Sequence, residues 1–305
     1  MNAKMELFER IKYLDFATNL PSLIDIGIVP NEQNGAANLL RKGLGIVAFN
    51  ILEDFIKMRT EEALDYISNS GIVFENLPDK LQDASILEAL QSLFFRAKIE
   101  RKEGKNWKKL IQDESLKIHS TQNLPYTLSR FSLISSASNV TEEDIPKLLN
   151  AFSISGGWST LESISNSIYG GVPDIRQSYI NASSRRHNAA HAVSFSYEYL
   201  WLTQMKNEII SIAVSIDIAL TAMCRKFYKN LDKKICQKNL ENELNYRFLE
   251  DGSKGYKEFK SMNGRTKKIW PNLNSAIASI KPKLVHNSEF LIILNSSKRI
   301  IDWHS

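Results

Sequence analysis

Cysteine and histidine are scarce in this chain, with 2 and 5 among 305 residues. Cys224 and Cys236 lack metal-ligand spacing, so they read as reduced thiols rather than a disulfide framework or a zinc site. Glycine (13) and proline (8) are too few for a linker-like or collagen-like chain. No uninterrupted apolar run approaches the ~18–20 residues that a membrane helix needs. The opening MNAKMELFE carries acids where a secretory signal wants an apolar stretch. A soluble, cytoplasmic protein is the expectation. What remains is 43% apolar, enough for a true core, in a length that suits two domains or one domain with an appendage.

Charge of one sign is also nearly lacking, 39 basic against 34 acidic residues, but it is unevenly spread. Arg96–Lys109 holds seven basic residues against Glu100 and Glu103, and Arg225–Lys238 holds six against Asp232. Such clusters attract a polyanion by counterion release, and Trp107, Phe227 and Tyr228 could stack on bases. They are equally what solvated helix ends look like, since Lys and Arg favour a last turn.

Helical periodicity dominates as far as residue 240. Leu39–Ile67 repeats apolar residues in steps of three and four and predicts a long amphipathic helix, closed by Ser68–Gly71. Ala84–Lys98 predicts a second helix running on into Glu100–Lys109, and 115–141 reads as a loop with short helical pieces. Thr141–Asp144 offers a capping-box start for a helix to Phe152. Gly156-Gly157 and Gly170-Gly171 bracket another short piece, and Pro173-Asp174 opens a further helix. Ser196–Tyr228 has no Gly or Pro and predicts the spine of a bundle, its Met205 and Met223 being core filler. Beyond residue 240 the pattern turns mixed. Asp251–Gly255 reads as a flexible break, Leu273–Ile280 as a short helix, and Phe290–Leu294 with Arg299–Trp303 as a hairpin around Asn295–Lys298. The expected fold is mostly α, a helical domain over 1–240 with its core at about 35–230, plus a small α+β appendage over 241–305.

Reactive side chains gather in one stretch, Ser184-Arg185-Arg186-His187-Asn188-Ala189-Ala190-His191. His119, His286 and His304 stand apart from any partner. Metal-free RNA cleavage needs a base for the 2′-hydroxyl, an acid for the leaving 5′-oxygen, and a fixed cation for the charge gathering on phosphorus. Imidazole, with an ordinary pKa of ~6.5, suits the first two roles, and guanidinium suits the third. On a straight helix of ~3.6 residues per turn, Arg186 and His191 point about 140° apart. One phosphate therefore meets both only if the chain bends near Asn188 or a second copy supplies the missing group across a two-fold axis. Two histidines at i, i+4 also suit zinc, though no HExxH-type glutamate accompanies them, and a basic helix end with purely structural histidines carries the same residues.

Arg186-His187-Asn188-Ala189-Ala190-His191 resembles the Arg-x4–6-His motif of HEPN-domain proteins, in which a polar residue such as His187 follows the arginine. An early long helix, the motif on a later helix, and a long closing helix are together similar to the RiboL-PSP subclass. The residue after His191 is Ala192 where that group often has glycine, and Val193 stands where others carry tyrosine. The resemblance implies a metal-independent endoribonuclease without a cofactor, active as a homodimer and leaving a 2′,3′-cyclic phosphate. Its setting would be toxin–antitoxin or anti-phage defence, with an antitoxin or defence-system partner, and some relatives are catalytically inactive dimers that bind RNA, nucleotide or protein. It assigns catalysis to Arg186 and His191, with His187, Asn188 and Glu53 in support. Asp54 is the alternative acid on the first helix. Arg185, Lys105, Lys108 and Lys109 are the expected RNA contacts.

Overall fold

The computed structural model describes residues 2–136, 139–231, 239–261 and 264–305, the side chains of Ser135 and Ser136 excepted. Ten helices and five strands follow one another in these residues. An N-terminal helix α1 (Ala3–Thr18) is capped by Asn2, whose side chain accepts from the Met5 N–H. The long α2 (Glu32–Ser68) begins a full turn and more before Leu39 because Asn31 caps it, accepting from the Asn34 N–H at 2.8 Å. Short α3 (Asp79–Asp83) passes through a π-helical turn at Ala84–Glu88 into α4 (Ala89–Lys102), and α5 (Trp107–Ser120) returns alongside. Then come α6 (Asp144–Ala151), α7 (Trp158–Ser167), α8 (Ile175–His191) and the spine α9 (Tyr199–Lys229).

Two readings of this region are corrected. Residues 100–109 are not one helix, because Gly104 takes φ +70° and turns the chain, and Asn106 caps a new helix by accepting from the Lys109 N–H. That helix reaches Ser120, so 115–141 is less loop-like than its serines and asparagines suggested. Half of the capping box at α6 forms: the Asp144 carboxylate accepts from both the Thr141 N–H and hydroxyl, while the Asp144 N–H goes to the Thr141 carbonyl rather than to its side chain.

The core lies between α2 and α9, with α1, α7 and α8 packed around them. In α9 every residue from Ile209 to Leu220 is buried, which is why the helix is apolar on all sides. By length and composition α9 would suit a bilayer, but 83% of its most apolar window is buried within the protein.

The C-terminal strands are β1 (Asn245–Gly252), β2 (Gly255–Phe259), β3 (Lys268–Trp270), β4 (Glu289–Leu294) and β5 (Ile300–His304), with α10 (Leu273–Asn287) before β4. They form one sheet in the order β3-β2-β1-β4-β5, antiparallel except for the β1–β4 pair. The β4–β5 hairpin forms as expected. The supposed flexible break is a hairpin turn, where Gly255 takes φ +110° and a Cβ would fall 2.2 Å from the Trp270 carbonyl oxygen. The helix at Leu273 runs on through Pro282 to Asn287, holding Leu284 against the sheet. Strand alternation gives the sheet two apolar faces. Phe248, Phe290, Ile292 and Trp303 join the bundle core, while Leu249, Leu291 and Ile293 pack under α10.

A buried polar knot ties the sheet to the bundle. The Arg59 guanidinium pairs with Asp217 and donates to Thr221 Oγ1 at 2.9 Å, and Trp303 Nε1 donates to Asp217 Oδ2 at 2.6 Å. Helices α2 and α9 and strand β5 thus meet at one carboxylate. Asp217 also lies beside Cys224, whose thiol burial pushes up to about 12. Cys236 and part of the 225–238 basic stretch lie outside the described residues.

Candidate active site

Helix α8 carries the motif, and its shape follows from its start. The Asp174 side chain accepts from the Gln177 N–H at 2.7 Å, closing the first turn. Ile175, Tyr179 and Ala182 then form a narrow buried stripe in steps of four and three. Continuing that stripe by three or four residues lands on Arg185 and Arg186, so both arginines leave from the inner face. His187, Asn188 and His191 fall on the outside and are exposed.

The adjacent arginines have opposite fates. The Arg185 guanidinium turns toward α9, 3.8 Å from Glu208 Oε2 and 4.9 Å from the Trp201 ring centroid. Burial pushes the Glu208 carboxyl above the usual range while Arg185 pulls it down. Arg185, expected to contact RNA, is therefore engaged inside the monomer. Arg186 turns the other way, and its Nη2 donates to Asn139 Oδ1 at 2.9 Å. Among the described residues no carboxylate is within ion-pair distance of Arg186, and its hydrogen bond is to a neutral amide, with the buried Glu53 carboxyl acting on it only from farther off.

The segment that presents Asn139 is pinned from below. Glu53 accepts from the Val140 N–H at 2.6 Å, and the Tyr179 hydroxyl donates to the Val140 carbonyl at 2.7 Å. Burial pushes the Glu53 carboxyl up, the Val140 hydrogen bond and the Lys57 and Arg186 charges pull it down, and Asp54 adds a push upward. At 3% exposure Glu53 cannot reach a substrate, and it does not close an ion pair with Arg186. Its support is indirect, through Val140. The other candidate acid, Asp54, pairs with Arg10 at 2.6 Å.

His191 is the last residue of α8, and the turn after it is fastened to α2. The Lys42 ammonium donates to the carbonyls of Ala192 and Val193 at 3.1 Å each. Asn38 donates to the Phe195 carbonyl and accepts from the Tyr197 N–H, and Arg41 donates to the Tyr197 carbonyl at 2.6 Å. Beneath it Phe195, Tyr197 and Trp201 pack ring on ring. Gly45 makes room, since a Cβ there would lie 2.3 Å from the Tyr197 ring. Burial pushes the Tyr197 phenol up to about 12. The His187 and His191 rings face solvent with centroids 4.8 Å apart.

The helix stays regular through Asn188, so the chain does not bend there to aim Arg186 and His191 at one point. Asn188 itself is exposed and makes no side-chain hydrogen bond in the described residues. Among those residues no three His, Cys, Asp or Glu side chains converge as metal ligands. Lys105, Lys108 and Lys109 sit at the α4–α5 turn, away from α8. Lys105 pairs with Glu103 at 2.5 Å and Lys108 lies 5.8 Å from the Trp107 ring. The sequence reading missed Asn139, Tyr179 and the Asn38–Arg41–Lys42 clasp. The α8 stripe spacing could have separated Arg185 from Arg186, but nothing local marks Asn139.

An α2–α8–α9 bundle with an open Arg-x4-His pair on α8 defines a HEPN-type helical domain. The RiboL-PSP-HEPN family model matches residues 6–222, and the chain belongs to that family. HEPN domains are associated broadly with ribonuclease activity and defence. Neither the curated proteins nor the solved structures contain a match.

Proposed function

We propose that the protein is a metal-independent endoribonuclease of two identical subunits. In this reading the 2′-oxygen of a ribose attacks the adjacent phosphorus, the bond to the 5′-oxygen breaks, and a 2′,3′-cyclic phosphate remains. His191 of one subunit removes the 2′ proton, and the same residue of the other protonates the departing oxygen. Arg186 stabilises the charge on the phosphoryl oxygens. His187, packed on His191, orients the imidazole, and Asn188 contacts the substrate.

The observation that carries the reading is the contrast between the arginines, one paired with Glu208 and the other held in place by a neutral amide with no carboxylate at ion-pair distance among the described residues. A fixed, unpaired guanidinium beside an exposed imidazole is suited to a phosphodiester. The straight course of α8 supports the two-fold arrangement, because one subunit alone does not bring both groups onto one phosphate. Exposed apolar side chains on the turn after His191 and on the stretch of α2 clasped to it, Val193 (97%) and Leu39 (70%), offer surface for the second subunit. A cytoplasmic place, a defence or toxin role, and an antitoxin or similar partner complete the proposal.

The test is cleavage of RNA by purified protein. Arg186→Ala and His191→Ala should each lower the rate by about a thousandfold or more while the dimer persists. Activity should survive EDTA. RNA binding without product near neutral pH would instead favour a non-catalytic HEPN dimer.

A further inference from the structure

Helix α4 and the π-helical turn that leads into it display large apolar side chains to solvent that nothing among the described residues covers. Phe94 is 61% exposed, Phe95 56%, Leu87 59% and Leu90 46%. In steps of three and four, one stripe runs Leu87, Leu90, Phe94, Lys98, Arg101, passing from apolar to cationic along the helix. The Lys98 ammonium sits 4.2 Å from the Phe94 ring centroid. At the end of the stripe the Arg101 guanidinium lies 5.7 Å from the Trp107 ring. Among the described residues, Lys98, Arg101, Lys102, Lys108 and Lys109 have no carboxylate within ion-pair distance.

Resting on the ribonuclease reading, we infer that the outer face of the α4–α5 hairpin binds single-stranded RNA, with Phe94 and Phe95 as stacking platforms. Charge complementarity decides the occupant. A protein helix would seat on an apolar stripe edged by mixed polar residues, whereas here uncompensated cations lie directly against exposed rings. An unpaired nucleotide offers both halves of what this face lacks, a π-face for the phenyl ring and a phosphate for the ammonium now resting on it. Lys98 then moves from ring to phosphate. The face is joined to the catalytic side by the chain itself. Helix α4 packs on the 3-10 turn Leu133–Ser136, and a few residues later Asn139 holds Arg186.

The experiment measures binding of a fluorescent 2′-O-methyl oligouridine, which cannot be cleaved by 2′-hydroxyl attack, to the full chain across a salt series. Phe94→Ala and Phe95→Ala should each weaken binding roughly tenfold, and Phe94→Trp should restore it. Lys98→Gln should reduce the slope of log affinity against log salt by about 0.7. Unchanged affinity and slope in all variants would overturn the inference while leaving cleavage of natural RNA, assayed separately, to judge the ribonuclease reading. Loss of dimer on Phe94→Ala, by sedimentation, would overturn it as well and make the face a contact between copies.

Discussion

Replacing Arg185 by methionine keeps an apolar stem against Trp201 and removes the charge facing Glu208. The two side chains are 16% and 15% exposed, so the carboxylate left behind has little water to turn to. Its escape is to take up a proton. Starting from an ordinary value of 4.5, and at ~1.36 kcal/mol per pH unit, staying neutral costs at most about 3.4 kcal/mol at pH 7 and under about 1 kcal/mol at pH 5. The lost stacking on Trp201, 4.9 Å away, adds about 0.5–1 kcal/mol at both. The sign follows from linkage: with the folded-state pKa raised above the unfolded one, stability is intact below 4.5 and drains away as pH climbs. Urea unfolding followed by tryptophan fluorescence should therefore find Arg185→Met about 2–4 kcal/mol less stable than wild type at pH 7 and only about 0.5–2 kcal/mol less stable at pH 5. Arg186→Met, losing a hydrogen bond to Asn139 and a weak pull on the Glu53 carboxyl but no ion pair, should stay within about 1 kcal/mol at both. An Arg185→Met loss of the same size at both pH values would refute the buried pairing, and so would no loss at all.

Gly45→Ala should destabilise by about 1–3 kcal/mol and depress RNA cleavage, because the new methyl overlaps Tyr197 and lifts the turn that follows His191. Thermal melts and cleavage rates read the two effects separately. Asp217→Ala should cost about 3–5 kcal/mol by stranding the Arg59 charge and the Trp303 indole N–H, visible as a lowered denaturation midpoint. Cys224 should resist alkylation in the native protein and react once urea unfolds it, since burial holds it protonated; mass spectrometry of the labelled peptide decides. Tyr179→Phe frees the Val140 carbonyl and should slow cleavage more than it lowers stability, if Asn139 depends on that anchor.

Much of the architecture was legible because it rests on local signals. The apolar spine of α9 and the start of α8 just after Pro173-Asp174 are written in neighbouring residues and fold as read, and the Thr141–Asp144 box forms in part. What escaped depends on partners far along the chain. Gly104 and Gly255 act through backbone angles that a composition count cannot weigh, so one helix became two and one break became a hairpin turn. The motif itself was visible as six residues, but the division of labour between Arg185 and Arg186 needed Glu208 and Asn139, which only folding brings near. Glu53 was found as the nearby acid, but its contact was out of reach, because its partner is a main-chain N–H that no side-chain pattern encodes.

The shared carboxylate at Asp217 has a practical outcome for anyone dissecting the chain. The family match stops at residue 222, yet the indole that shields the Arg59–Asp217 pair comes from the last few residues. Cutting after Lys229 would uncover a flank of α9 and take from Asp217 the indole N–H that holds it beside Arg59. The core thus runs past the stretch that names the family, and the final strands are masonry rather than ornament.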